Sequence, residues 1–218
     1  MWIIVVEGLR DVTFISEIIK RNSSERVPAI YSRTPKESIR KLIRLLRTSS
    51  DYHYYQKQFG FIVYGDNGRP NVINKVLPRL CNDLLGKDPP KHIKLFTILD
   101  DDGISHEEIM EAIKEKVRSI PHSRFVVMGK VDFGILDSAD DTYRIDVSVF
   151  FIPLSLERQI QKKGREITGC KDGDLGSLAE LKKCGSVDEL IRKVVDEGWF
   201  DNEKWYRELV DFIKKITS

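Results

Sequence analysis

Two short, almost unbroken apolar runs, Trp2-Ile3-Ile4-Val5-Val6 and Leu95-Phe96-Thr97-Ile98-Leu99, each run straight into acid and glycine: Glu7-Gly8 after the first, Asp100-Asp101-Asp102-Gly103 after the second. Runs of this length, bounded by turn residues, predict strands buried on both faces. Over residues 11–20 the pattern changes to helical spacing, with Val12, Phe14, Ile15, Ile18 and Ile19 on one side. Pro35–Arg47 repeats that spacing, with Thr34 as N-cap and Pro35 at the first helical position. Residues 59–64 are β-prone and close on Gly65-Asp66-Asn67-Gly68; residues 72–85 predict a helix ending near Gly86, and Asp88-Pro89-Pro90 breaks the chain. Residues 105–118 predict a helix capped by Ser105, with Glu107, Glu108 and Glu111 near its positive end. Residues 125–128 predict a fourth short strand.

The resulting order, β-α-(α)-β-α-β-α-β, calls for a mainly parallel sheet with helices on its faces. Residues 143–152 alternate as Tyr-Arg-Ile-Asp-Val-Ser-Val and predict an edge or two-sided strand that Pro153 ends. About 164–186 the chain is rich in Gly and Lys and predicts a flexible loop. Helical patterns over 187–195 and 203–216 follow, with Trp199, Phe200 and Trp205 as packing anchors. The expected division is an α/β domain over 1–152, with an insert at about 21–58, and a loop-rich, helical C-terminal extension over 153–218.

Composition narrows the classes. At 218 residues, 41% hydrophobic and 32% charged, the chain can bury a sizeable core. No apolar stretch approaches the roughly 20 residues that span a bilayer. The N-terminal run lacks the basic flank and length of a signal peptide, so a cytoplasmic protein without membrane contact is expected. Cys81, Cys170 and Cys184 are widely spaced, which argues against a disulfide framework and a thiolate zinc site. A net charge of +2 means that any nucleic-acid contact must use a local patch.

The chemistry lies in the acids. In an open α/β sheet, ligands bind outside the carboxyl ends of the strands, so acids delivered there by neighbouring strands share one crevice. Strand alternation sends Asp100 and Asp102 the same way and Asp101 the other. Glu7, Asp100 and Asp102 then match the demands of Mg²⁺ or Mn²⁺, hard cations that take carboxylates, waters and substrate phosphates. The ordinary reading of each acid alone is a strand end that caps the next helix, with Glu7 paired to Arg10.

Val5-Val6-Glu7-Gly8-Leu9-Arg10-Asp11 and Ile98-Leu99-Asp100-Asp101-Asp102-Gly103, each followed by a helix, resemble the TOPRIM domain of topoisomerases, primases, RecR proteins, OLD-family nucleases and small archaeal stand-alone proteins. The likeness covers about residues 1–130. It implies a compact Rossmann-like sheet, magnesium bound by the acids, and phosphodiester chemistry on DNA or RNA. Glu7 would be the general acid/base or metal-bridging carboxylate and Asp100 and Asp102 the metal ligands. Gly65-Asp66-Asn67-Gly68 would be the glycine-containing loop beside the site. Pro153-Leu154-Ser155-Leu156-Glu157 resembles the acid following the last strand of stand-alone members, making Glu157 a further ligand. Asp11 joins it as a candidate for a second metal. The insert is longer than in minimal members. Neither a topoisomerase tyrosine domain, a primase zinc module nor a Gly-Lys-Ser/Thr phosphate loop accompanies the acids, so an associated ATPase would be a separate protein partner.

Around the helix after Pro35, Arg33, Lys36, Arg40, Lys41, Arg44 and Arg47 make a cationic ridge opposite Ile39, Leu42, Ile43 and Leu46. Such a ridge suits a phosphate backbone, and Tyr52, His53, Tyr54, Tyr55 and Phe59 could stack on bases of a single strand. The same pattern also describes an ordinary amphipathic helix with a solvated face. Of four scattered histidines, His106 alone stands beside the acidic strand. Two function classes stay open: a metal-dependent phosphodiesterase or nuclease, and a non-catalytic nucleic-acid-binding or partner-docking module with a structural metal. A nucleotide-sugar transferase using Asp-x-Asp would leave Glu7 without a role.

Overall fold

The computed structural model describes residues 1–23, 27–30, 35–88, 90–167 and 187–217. Seven strands form one sheet: β1 (Trp2–Val6), β2 (Ala29–Ile30), β3 (Phe61–Gly65), β4 (His92–Asp100), β5 (Ser123–Val127), β6 (Asp132–Asp137) and β7 (Arg144–Ile152), in the order β2-β3-β1-β4-β7-β6-β5. The five strands from β2 to β7 run parallel, and β6 and β5 are added antiparallel at one side. The expected α/β architecture with a mostly parallel sheet flanked by helices is therefore present.

Helices cover both faces. Ile3, Val5, Leu95 and Leu99 point into one apolar layer with α2 (Pro35–Arg47), α3 (Ser49–Gln58), α5 (Leu77–Leu84) and α6 (His106–Arg118). Ile4, Val6, Phe96 and Ile98 point into the other, with α1 (Leu9–Ser23), α7 (Leu156–Ile167), α8 (Val187–Asp196) and α9 (Lys204–Thr217). The unbroken apolar runs of β1 and β4 follow from this double coverage, since every residue faces helices on one side or the other. The segment after Pro153 thus shares its apolar layer with α1, through Leu156, Ile160, Ile191, Val194, Phe200 and Leu209. Trp199 and Phe200 are buried anchors as expected, and Trp205 is partly buried.

A short helix α4 (Arg69–Asn71) passes into α5 through a wider, π-helical turn at Val72–Val76, where Leu77 donates to the Val72 carbonyl. Pro78 follows at the second position of α5; a proline interrupts ordinary i→i−4 bonding, and a wider turn is one way to accommodate that.

Four expectations need correction. The strand at 125–128 does not join the parallel set: among the described residues β5 pairs only with β6, in an antiparallel hairpin that the sequence pattern did not predict. Four residues separate β5 from β6, and a link that short cannot make a parallel crossover. Gly134 in the middle of β6 weakens its strand signal. Second, of the edge or two-sided strand expected over 143–152, only the edge alternative falls: β7 alternates between its faces and lies between β4 and β6. Its alternating polar residues are tolerated there because they bond to one another and to β4: Arg144 Nη2 donates to Asp146 at 2.6 Å, and His92 Nε2 meets Asp146 at 2.8 Å. Third, the aromatic run lies on α3, where Tyr52 is buried in the core and therefore closed to bases, while Tyr54 is exposed. Fourth, residues 164–167 continue α7, and Gly164 is buried. Thr34, Cys170, Cys184 and the rest of the Gly-rich run lie outside the described residues.

Candidate functional site at the strand ends

Glu7 follows the last residue of β1 and is held by main chain from two other elements. Its Oε1 accepts from the Asp100 amide at 2.9 Å, and its Oε2 from the Arg69 amide at 3.0 Å. Gly68, in the left-handed region at φ 84°, turns the chain into α4 and donates its own amide to the Glu7 carbonyl at 2.7 Å. The carboxylate thus caps the first residue of α4 from another strand, where the helix's positive end favours an anion. Burial nevertheless raises the Glu7 pKa, against the two amides and the Arg69 charge, and Asp102 pushes it the same way.

Asp100, the last residue of β4, is buried and faces the α1 and α7 side of the sheet. Its Oδ1 accepts from the Leu156 amide at 3.1 Å, at the start of α7. Asp11 lies in the first turn of α1, where the nearby Gly8 and Asp11 amides work to lower its pKa. Burial raises the Asp100 carboxyl to about 9, reinforced by the charges of Asp11, Glu7 and Glu157. Asp11 rises to about 7 by burial, with Glu157 and Glu7 adding to it. Glu157 pairs with Arg10 at 3.1 Å. Four of the acids nominated from the sequence therefore feel one another's charge, as groups separated by a few ångströms of low-dielectric surroundings do.

The Asp-x-Asp clamp does not form as strand alternation predicts. Asp102 leaves the strand with φ 49°, its amide donating to the Leu154 carbonyl at 2.7 Å. Its carboxylate turns to Arg69 at 3.3 Å, 45% exposed, and acts on Glu7 rather than appearing among the main influences on Asp100. Asp101 closes the loop, accepting from the Gly103 amide at 2.9 Å and the Leu154 amide at 2.7 Å, with His106 Nε2 at 3.2 Å. Burial pushes its pKa up, but those bonds hold it below the ordinary carboxylate value. The His106 ring stacks on Phe151, 4.1 Å between centroids. Among the described residues, no three acids, histidines or cysteines stand in an arrangement ready to hold a metal ion.

Arg69 is the residue the sequence reading missed. Its guanidinium donates to the Asp100 carbonyl at 2.7 Å and pairs with Asp102 after β4, while its amide donates to Glu7 after β1, so the residue joins the two strand ends. Its position directly after the Gly65-Asp66-Asn67-Gly68 turn, already placed beside the site, was the available signal. Asp66 in that turn is buried and accepts from the Tyr64 hydroxyl at 2.7 Å and the Asn67 amide at 2.7 Å, which fixes the turn. Arg69→Ala should cost about 1–3 kcal/mol in denaturant unfolding, because it strips a partly buried carbonyl of its charged donor, while the half-exposed Asp102 pair adds little. Arg69→Lys should recover only part, since an ammonium lacks the planar fork. A change within experimental error for both would show that the bridge is energetically idle.

On the cationic ridge, Arg40, Lys41, Arg44 and Arg47 are exposed on α2, opposite buried Ile39, Leu42, Ile43 and Leu46. Lys36 lies in the first turn of that helix, and Arg33 lies outside the described residues. No described helix is long and apolar enough to cross a membrane. Compared with models of protein families, with curated proteins and with solved structures, the chain matches none of them.

Proposed function

We propose that the protein is a TOPRIM-type enzyme that breaks phosphodiester bonds in nucleic acid with the help of Mg²⁺ or Mn²⁺, a nuclease or a related processing protein. The observation that carries the reading is the meeting of Glu7 and Asp100 at the carboxyl ends of adjacent parallel strands, 2.9 Å from carboxylate oxygen to amide nitrogen, with Asp11 and Glu157 adding their charge. Ligands of open α/β sheets bind at such ends.

The donors fit a hard divalent cation in their chemistry. They are carboxylates without sulfur or imidazole, and burial, reinforced by the charges of neighbouring acids, raises the pKa values of Asp11 and Asp100. Mg²⁺ keeps several waters and takes one or two protein carboxylates, so it does not require a ready three-ligand group. Asp100 and Asp11, with Glu157 beside them, would hold it, and Glu7 and Asp102 border it across Arg69. When bound, such a cation supplies positive charge to the phosphodiester oxygens and to the attacking water. Glu7, whose carboxyl burial holds above its ordinary value, would be the general base. Arg69 brings a guanidinium to the same rim, and the α2 ridge would track the phosphate backbone.

The second reading, a binding module with a structural metal and no chemistry, is favoured by one observation: both Glu7 oxygens already accept main-chain amides and Asp102 is paired with Arg69. Incubating single- and double-stranded DNA and RNA with the protein in Mg²⁺, Mn²⁺ or chelator separates the two. The wild type is expected to cut with cation only, and Asp100→Ala to lose at least about a hundredfold, since even outer partners of metal ligands cost 10–100-fold. Binding by both proteins with cleavage by neither would establish the module instead.

A further inference from the structure

We propose that the outer edge of β5 is a self-pairing surface that joins two copies of this chain through an antiparallel β5–β5′ ladder about a twofold axis. β5 is the last strand of the sheet, and no described residue pairs with its outer side. Its end is also the most apolar exposed surface on the sheet: Val126 is 36%, Val127 60% and Met128 47% exposed. Edge strands normally carry a guard, such as an outward lysine, a proline or a covering loop. Ser-Arg-Phe-Val-Val has no lysine or proline, and its one cation, Arg124, is engaged by Asp141.

The phase of the hydrogen bonding sets the register that a second copy would take. The Met128 amide donates to Asp132 and the His122 carbonyl accepts from Ser138, so the even-numbered residues 122, 124, 126 and 128 bond inward to β6. Bonded and non-bonded positions alternate along an antiparallel ladder, which leaves the main-chain groups of Ser123, Phe125 and Val127 facing outward. These are the first, third and fifth residues of a five-residue strand, so the set is symmetric about Phe125. A second copy turned through half a circle therefore pairs Phe125 with Phe125′ and Ser123 with Val127′, satisfying all the outward groups at once. Among the described residues the other sheet edge, β2, pairs over two residues only, a poor match for a five-residue strand head to tail. The contact is thus closed and twofold rather than open and fibre-forming.

Sedimentation of the full chain over a wide concentration range tests this. A concentration-dependent monomer–dimer equilibrium is expected, of the modest strength that one strand pair provides. Val127→Pro removes an outward amide without touching the β6 ladder, and Val127→Lys puts a charge on the edge; both should shift the equilibrium to monomer while circular dichroism and the unfolding midpoint stay near wild type. Should the proline variant unfold, the lysine variant alone decides. Ser123→Cys with Val127→Cys should give reducible dimers on oxidation, because directly opposed bonded residues lie about 5.5 Å apart, within disulfide reach, whereas the two positions in one chain lie about 13 Å apart. A chain that is monomeric at every concentration overturns the proposal, even if some other strand binds this edge. So does a dimer that survives Val127→Lys without cross-linking. Neither result bears on the strand-end site.

Discussion

Asp100→Asn is expected to flatten the pH dependence of stability in cation-free protein and to leave the variant at least as stable as wild type at neutral pH. The Asp100 carboxyl stands at about 9 in the folded chain because it is buried beside Asp11, Glu7 and Glu157, against an ordinary value near 4 in the unfolded chain. Between those values the folded state binds a proton that the unfolded state has released. Stability therefore falls as pH rises from about 4 to about 9, the reverse of the usual salt-bridged aspartate, and levels off above that. Asp11, at about 7, adds a similar fall over the lower part of the window. An asparagine amide imitates the protonated acid and removes the first contribution, so the gap in midpoint between variant and wild type should widen as pH rises towards about 9. Added Mg²⁺ or Ca²⁺ should stabilise wild type more at high pH, when the acids are ionised, and the variant less. Thermal unfolding of both proteins in chelator and in cation over that range provides the check. A level wild-type profile in chelator would show that these acids do not strain one another; a level profile with no cation response would remove the metal reading as well.

Phe14→Ala and Phe200→Ala should each destabilise the protein by about 3–5 kcal/mol, the cost of emptying a fully buried aromatic site that cannot collapse. Phe14 projects from α1 and Phe200 from the turn before α9; both are inaccessible to solvent, with ring centroids 6.3 Å apart in edge-to-face contact. Trp205 and Tyr206 complete the cluster around them. The two changes should be less than additive, because the first already removes the contact that the second would break. Denaturant unfolding of the single and double variants measures this. Losses below about 1 kcal/mol, or strict additivity, would mean that the C-terminal helices are not packed on α1 as described.

The sequence carried much of the fold because its signals are local. An unbroken apolar run needs both faces covered, so Ile3 to Val6 and Leu95 to Leu99 mark central parallel strands wherever they occur. The helical spacing of Val12, Phe14, Ile15, Ile18 and Ile19 likewise marks the buried stripe of α1. β6 escapes because Gly134 interrupts it, and the pattern of β7 leaves an edge position open because half-buried Arg144 and Asp146 look like an edge until their partners are known. In the site, Glu7, Asp11, Asp100 and Glu157 were legible as acids at element ends. Arg69 was not, since nothing in its own neighbourhood states that it will reach Asp100.

Apolar periodicity and turn chemistry act over a few residues, and they suffice to mark which residues are strand, helix and strand-end acid. Which side chain faces which is settled by long-range packing. Leu154 and Leu156, more than fifty positions along the chain from the acids, donate amides to Asp101 and Asp100, and the left-handed turn at Asp102 sends its carboxylate to Arg69 instead of alongside Asp100. Those directions, and the raised pKa values that follow from them, depend on distances of a few ångströms between distant parts of the chain, and no local pattern encodes such distances.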